Sequence, residues 1–174
     1  MILRNRIDLI VFDVYNTLFK NDAQSWLRTF QVMCNDQGLS ILPEDLWNHW
    51  RDIGTRRRLT RAPLENPEQT TQFETYQDHW AKVFYETFHQ LGIHANAERA
   101  SLSCVQALSD REPYEDMLST MSHIQVNWKT AAMTNADNAS LFPLLKKHNL
   151  NFEHVLTSEI LGRINQTPWY SKVL

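Results

Sequence analysis

Residues 7–19 read Ile-Asp-Leu-Ile-Val-Phe-Asp-Val-Tyr-Asn-Thr-Leu-Phe. The apolar run from Leu9 to Phe12 is short and partly β-branched, which favours a buried strand over a helix. Asn16-Thr17 predicts a turn shortly after it. Asp13 is therefore expected just beyond the carboxyl end of a strand, where open α/β sheets present their functional groups. Taken alone, the same carboxylate could equally cap a following helix.

A second strand-end pattern lies far along the chain. Residues 128–133 read Trp-Lys-Thr-Ala-Ala-Met and predict a buried strand, after which come Thr134 and Asn135. This again puts a hydroxyl and an amide just beyond the carboxyl end of a strand. Residues 152–159 predict a further strand that leads into Ser158 and Glu159. The two ends of the chain therefore have an α/β pattern.

The middle of the chain, between residues 21 and 111, has apolar residues at helical spacing instead. Gly38 is placed to stop the first predicted helix, and Pro43 opens the second. The faces of the four predicted helices fall on residues 26–34, 46–53, 73–88 and 102–108. Leu102 is among the residues expected on the buried face of the fourth. The aromatic residues on these faces favour a packed core over a cofactor site.

Composition limits the classes of function. With 17 basic and 20 acidic residues the formal net charge is -3, and no long basic tract argues for nucleic acid. The run Arg56-Arg57-Arg58 with Arg61 predicts a solvated helix face, or less favourably a phosphate or carboxylate clamp. The two cysteines and seven histidines lack metal-ligand spacing. No apolar stretch approaches ~18 residues and no signal peptide is evident, so we expect a cytoplasmic protein without a membrane partner.

The segment at 12–19 resembles the first motif of the haloacid dehalogenase (HAD) superfamily of hydrolases, in which the first Asp is the nucleophile. Asp13 matches that residue. Thr134 and Asn135 resemble the second motif, whose hydroxyl binds an oxygen of the substrate or intermediate. Ser158-Glu159 is similar to the end of the family's third strand. The resemblance implies a Rossmann-like α/β core, a parallel sheet flanked by helices, with an inserted all-helical cap.

On this resemblance, residues 1–19 and 113–174 form a discontinuous core and residues 20–112 form the cap. The family usually has Lys-Pro after the third strand, and the alignment puts Asn165 at the lysine position. The chain ends before the fourth motif, so we expect a C-terminal truncation with the last core strands missing. The apolar first strand would then form an open edge of the sheet, to which another chain could bind. The expected partner is a second copy or another chain that covers this edge. Alternatively, the fragment is poorly soluble by itself.

Tyr15 decides which branch of the family the chain resembles. Phosphatases of the family have an Asp at that position as general acid, whereas 2-haloacid dehalogenases have a tyrosine. There Asp13 would displace a halide from a saturated carbon, which needs neither an acid nor a metal. The substrate carboxylate would need a cation, and Arg51 is the candidate in the predicted cap. Arg51 could equally be an ordinary surface residue of its helix.

Three hypotheses from different classes follow. The first is a HAD-like hydrolase of 2-haloacid dehalogenase type that acts on a small carboxylated molecule without a cofactor. Its catalytic residues would be Asp13, Tyr15, Thr134, Asn135 and Asn165, with Arg51 binding the substrate. The second, suggested by Asn165, is an inactive relative that binds a partner or ligand. The third is a phosphatase, the one case in which Mg²⁺ is expected.

Overall fold

The computed structural model describes residues 7–61 and 74–162. The elements in chain order are β1 (Leu9–Phe12), α1 (Ala23–Gln37), α2 (Pro43–Arg61), α3 (Tyr76–Leu91), α4 (Ala97–Ser109), α5 (Met117–Asn127), β2 (Lys129–Thr134), α6 (Asn138–Lys147) and β3 (His154–Thr157). The predicted α/β class is confirmed, as are the four helices predicted between residues 21 and 111, which are α1 to α4.

The strands form one parallel three-stranded sheet in the order β1-β2-β3. Phe12 lies opposite Ala132, and Thr134 lies opposite Thr157. Because all three strands run in the same direction, their carboxyl ends meet at one edge of the sheet. The helices α5 and α6 supply the crossovers that parallel strands require.

The strand β1 lies at one side of this sheet, and among the described strands it pairs with β2 alone. Leu9 and Val11 on one of its faces are 41% and 53% exposed. On the other face Ile10 and Phe12 are half-buried, and the ring of Phe12 lies 6.3 Å from that of Phe152. The sheet therefore has one well-covered face and one apolar face that the described residues leave open.

The helix ends follow the sequence closely. The side chain of Asp22 accepts a hydrogen bond from the Ser25 amide at 2.8 Å and caps the start of α1. At its end Gly38 has a φ of 63°, in the left-handed region that glycine adopts without strain. Pro43 occupies the first position of α2, where its missing N–H leaves no bond unmade.

Two details differ from the sequence prediction. The strand β2 is displaced by one residue from the predicted range 128–133, so it begins at Lys129 and includes Thr134. In α4 the buried face consists of Ala97, Ala100, Ser101, Cys104, Val105 and Leu108. Leu102, which was expected on this face, is 42% exposed because it lies one position beyond the three-and-four spacing of that face.

The helices α1, α2 and α3 pack around an aromatic cluster, which consists of Trp26, Phe30, Trp50, Trp80 and Phe84. The Trp50 ring lies 5.5 Å from Trp26, Phe30 and Phe84 and 5.8 Å from Trp80. All five side chains are buried. These five aromatic positions of the predicted helices are therefore core positions, as the sequence predicted.

The division into core and cap remains a prediction, but the two places where the chain passes between the predicted parts lie side by side. The amide of Lys20 donates to the carbonyl of Glu112 at 2.8 Å, and the amide of Tyr114 donates to that of Leu18 at 3.1 Å. The helix α4 also contacts α6. The helical region is therefore joined to the sheet region by backbone bonds and by helix packing.

Candidate active site

The loop after β1 holds the first predicted site residue, Asp13, at the carboxyl end of the strand. Its carboxylate is half-buried and accepts a hydrogen bond from the Thr17 hydroxyl at 3.2 Å. The amides of Leu18 and Phe19 both donate to the Val14 carbonyl, at 2.8 and 3.0 Å. These bonds close the chain into a tight loop that fixes where the carboxylate lies.

Asn16 makes the turn of this loop. Its φ is 63°, a left-handed conformation that asparagine tolerates better than most residues. The backbone N–H of Asn16 donates to the Phe19 carbonyl at 2.7 Å, and its side-chain oxygen accepts from the backbone N–H of Asn21 at 3.1 Å. Asn16 therefore fills a position that requires positive φ and adds a hydrogen bond that glycine could not make.

Tyr15 points into the interior. The phenol is buried and its hydroxyl donates to the Leu108 carbonyl at 3.5 Å. Burial raises the pKa of Tyr15 to about 12, although a hydrogen bond with Ser140 and the charge of Arg111 oppose the shift. The side chain therefore stays neutral near physiological pH and cannot serve there as an efficient proton donor.

Thr134 and Asn135 lie at the neighbouring strand end. Thr134 is the last residue of β2 and is buried, while Asn135 is half-buried. Since Phe12 lies opposite Ala132, Asp13 and Thr134 leave adjacent strands about one residue apart in register. Three of the predicted site residues, Asp13, Thr134 and Asn135, thus meet at the carboxyl edge of the sheet.

The end of β3 is tied to the same edge by side-chain bonds. The Thr157 hydroxyl donates to the side-chain oxygen of Asn138 at 2.8 Å, and the Glu159 carboxylate accepts from the Asn138 amide at 2.7 Å. The Ser158 hydroxyl donates to the Ala136 carbonyl at 3.3 Å. We use the term strand-end region for residues 13–22, 134–138 and 157–160.

Asp137 is a member of this region that sequence reasoning missed. Its buried carboxylate accepts from the amides of Tyr76 and Gln77, at 2.8 and 3.0 Å, at the start of α3. Burial raises the pKa of Asp137, and these two bonds oppose the shift. An Asp just before a helix normally suggests a cap for that helix. Here it makes no side-chain cap bond to α6 and caps α3 instead.

The two arginines of interest have contrasting places. The guanidinium of Arg51 donates to Asn48 at 3.2 Å and lies 4.8 Å from the Trp47 ring centroid, so these contacts are within its own helix. Arg111 is buried, and its Nε donates to the Asn21 side chain at 3.1 Å. Sequence analysis overlooked Arg111 because Asp110-Arg111-Glu112 has the pattern of an exposed charged turn.

Asn165, predicted at the family's lysine position, lies outside the described residues. Within 7–61 and 74–162, no three His, Cys, Asp or Glu side chains are grouped so that they could hold a metal ion. Over the same ranges, no helix is long and apolar enough to span a membrane.

Comparison with known proteins gives similar folds without similar sequences. No family model matches, and no curated protein matches in sequence. An L-2-haloacid dehalogenase from Xanthobacter autotrophicus, with chloropropionic acid covalently bound, matches with a TM-score of 0.64 at 17% identity. The match covers 91% of this chain but only 60% of that one. A second L-2-haloacid dehalogenase gives 0.67 at 19% identity, over 93% of this chain and 66% of that chain.

The HAD-type protein YfnB from Bacillus subtilis, bound to magnesium, gives a TM-score of 0.72 at 15% identity. This match covers 95% of the present chain and 71% of that protein. At such identities the similarity establishes the fold.

Proposed function

This chain has the haloacid dehalogenase-like fold, and we propose that it is a hydrolase of 2-haloacid dehalogenase type with Asp13 as its nucleophile. The observation that carries the proposal is that Asp13 and Thr134 lie at neighbouring strand ends. Tyr15, two residues after Asp13, is buried and neutral. The substrate class is a small carboxylic acid with a halogen on C2.

The proposed reaction has two steps. In the first, a carboxylate oxygen of Asp13 attacks C2, the carbon–halogen bond breaks, and the halide leaves with the bonding electrons. In the second, water attacks the carbonyl carbon of the resulting ester, which releases the 2-hydroxy acid, the Asp13 carboxylate and one proton. Covalent catalysis of this kind divides one difficult displacement into two easier steps.

Neighbouring groups would prepare Asp13 for this attack. The Thr17 hydroxyl bonds one carboxylate oxygen at 3.2 Å, which restricts the rotation of the side chain. Thr134 and Asn135, at the next strand end, would donate hydrogen bonds to the carboxylate of the substrate or to the ester carbonyl. A fixed nucleophile and fixed donors supply orientation, which contributes much of the rate enhancement in such sites.

Tyr15 supports dehalogenation over phosphate-ester hydrolysis. A pKa of about 12 makes its phenol a weak acid, and an alkoxide leaving group needs an acid nearer neutrality. A halide leaves without a proton. The neutral tyrosine therefore fits the chemistry that needs no proton donor.

Magnesium-dependent phosphate-ester hydrolysis is a second candidate, because the similar YfnB structure is bound to magnesium. Magnesium prefers carboxylate oxygens and keeps octahedral geometry. In the described strand-end region Asp13 is a suitable ligand, but Asp137 and Glu159 both accept bonds from backbone amides. The described residues thus fit such a site poorly, and we derive no step through the metal.

The experiment compares the wild-type chain with Asp13→Asn and with the control Asp8→Asn, an exposed carboxylate next to the same strand. Halide release from both enantiomers of 2-chloropropionate, and phosphate release from a phosphate ester with Mg²⁺, are measured by ion chromatography. We expect halide release that Asp13→Asn abolishes and Asp8→Asn preserves. Phosphate release would replace the proposal by the second candidate. Neither product from a cooperatively folded sample would favour a non-catalytic binding protein, consistent with Asn165 at the position of the family lysine.

A further inference from the structure

Arg111 is a buried cation whose hydrogen bonds are incomplete. Only 6% of the residue is exposed. Its Nη1 donates to the Ser25 carbonyl at 3.0 Å and to the Thr29 hydroxyl at 3.3 Å, and its Nε donates to Asn21. Its Nη2 is buried and, among the described residues, has no hydrogen-bond partner. The guanidinium is therefore held through Nε and Nη1 and unsatisfied at Nη2.

The unsatisfied donors near Arg111 are grouped. Among residues 7–61 and 74–162, the buried side-chain polar atoms without a partner are Arg111 Nη2, Trp26 Nε1, Trp50 Nε1 and His148 Nε2. Three of these four atoms are N–H donors on neighbouring side chains. The Arg111 Cζ lies 5.0 Å from the Trp26 ring centroid, and the Trp26 and Trp50 rings lie 5.5 Å apart. Native proteins leave few such atoms unpaired, and a group of them calls for a missing acceptor.

The charge of Arg111 lies over the face of the Trp26 ring, a contact that stabilises a cation less than a paired carboxylate would. No ion pair joins it to a carboxylate within the part of the chain that the structure describes. The charge of Asp22 acts on Arg111, but this carboxylate caps α1 through Ser25. Burial lowers the pKa of Arg111, which indicates how poorly its surroundings solvate the cation. A buried charge is normally paired, so the missing acceptor is expected to be an anion.

Arg111 lies close to the loop of the proposed nucleophile. Asn21, which accepts from Nε, ends the loop that begins at Asp13. Tyr15, in the same loop, interacts electrostatically with Arg111. The donors thus lie between the strand-end region and the aromatic cluster.

We propose that Arg111 Nη2 and the Trp26 indole N–H bind the carboxylate of a small monocarboxylic acid whose apolar body packs on the aromatic cluster. This inference rests on the proposed function, which it deepens by naming the residues that bind the carboxylate of the substrate. It assigns to Arg111 the role that sequence analysis gave to Arg51. A carboxylate offers two acceptor oxygens to two donors on different side chains. A strongly hydrated phosphate dianion suits an aromatic wall less well.

The test measures binding without turnover. Propionate, which has no leaving group, is titrated into the full chain while tryptophan fluorescence is recorded, since Trp26 and Trp50 lie at the site. We expect saturable binding that Arg111→Met weakens by about tenfold or more, because a charge-assisted bond is lost. Trp26→Phe keeps the ring but removes the N–H and should weaken binding several-fold. Arg51→Met, at a half-buried arginine, should leave the affinity unchanged, as should the control Arg99→Met at an exposed arginine.

Selectivity separates an anion site from a structural role. Propionamide, which lacks the charge, should bind wild-type protein much more weakly than propionate, and chloride should compete only weakly. Arg111 also holds α1, so thermal unfolding of every variant is recorded. If Arg111→Met does not fold, Arg111→Lys and Trp26→Phe serve in its place. A lysine has a single ammonium group, so it cannot keep the bonds of Arg111 to Asn21, Ser25 and Thr29 and also bind the anion.

The inference is overturned if propionate does not bind, if chloride or propionamide binds equally well, or if folded variants at Arg111 and Trp26 keep wild-type affinity. Loss of affinity in Arg51→Met would return the role to Arg51. Failure of the proposed function has a different signature, namely no Asp13-dependent halide release although propionate binding responds to Arg111 and Trp26.

Discussion

The strand-end region and the aromatic cluster differ in whether their polar groups have hydrogen-bond partners. In the first, side chains bond one another, as Thr17 bonds Asp13 and Thr157 bonds Asn138. In the second, the buried indole N–H groups of Trp26 and Trp50 lack acceptors among the described residues, as does Nη2 of the adjoining Arg111. Under the proposed function, the sheet edge would hold the reacting groups in place, and the helical interior would supply donors to the ligand.

The largest effect should come from the packing of the aromatic cluster. Phe30 is fully buried, and Phe30→Ala should lower the free energy of unfolding by about 3–5 kcal/mol, because it removes buried area and leaves a cavity. Denaturant unfolding measures this loss. Val126→Ala, at a residue 85% exposed, is the control and should change stability by less than about 0.5 kcal/mol. A small effect at Phe30 would mean that the helical interior is not a packed core.

Tyr15 gives a pH-dependent effect at the boundary of the two regions. Its folded pKa of about 12 exceeds the ordinary value of 10.0, so the folded state binds more protons than the unfolded state in this interval. Stability should therefore fall as pH rises from about 10 to about 12, by up to about 3 kcal/mol. Tyr15→Phe should lack this part of the loss. Equal alkaline losses in both proteins would contradict the burial of the phenol.

Asp137 tests the connection between the regions. Asp137→Asn replaces a carboxylate that accepts two amides at the start of α3, and we expect a loss of about 2 kcal/mol. Burial raises the pKa of Asp137 in the folded state, so the folded protein binds more protons than the unfolded protein between the two pKa values. The free energy of unfolding should therefore decrease as pH rises through this interval. In Asp137→Asn the free energy of unfolding should lack this dependence on pH. Asp116→Asn is a suitable control, since Asp116 makes no side-chain cap bond. Equal behaviour of the two variants would refute the bridging role.

The smallest effect concerns the turn at Asn16. Asn16→Ala should cost about 1 kcal/mol, because alanine tolerates a φ of 63° poorly and the bond to Asn21 is lost. In Asn16→Gly the backbone strain at positive φ is relieved but the hydrogen bond to Asn21 is lost. These two effects on stability should nearly cancel. Thermal unfolding of the two variants distinguishes these cases. A more stable alanine variant would mean that the turn does not have this geometry.

Local signals in the sequence were sufficient for much of the fold. The apolar run before Asp13 predicted β1, and Gly38 marked the end of α1, because both depend on neighbouring residues. The resemblance of residues 12–19 and 134–135 to HAD motifs led to the fold that the structural comparisons confirm. The catalytic roles of Asp13, Thr134 and Asn135 stay predictions.

Other features could not be predicted because they depend on distant contacts. Asp137 caps a helix some sixty positions earlier in the chain, and Arg111 meets residues of α1 only once the chain folds back. A charged residue in a turn usually indicates exposure, so Arg111 gave no signal of burial. Leu102 failed for a simpler reason, since an apolar residue one position off the buried spacing can still be exposed.

The central claim is that Asp13 forms an ester with its substrate, and isotope transfer tests it most directly. The chain, in molar excess over 2-chloropropionate, is allowed a single turnover in water enriched in oxygen-18, and peptides and product are weighed by mass spectrometry. The account predicts that the heavy oxygen enters the peptide at Asp13, while the 2-hydroxy acid carries an ordinary oxygen taken from the carboxylate. Heavy oxygen in the product, with none at Asp13, would mean that water attacks the substrate directly and would contradict the account.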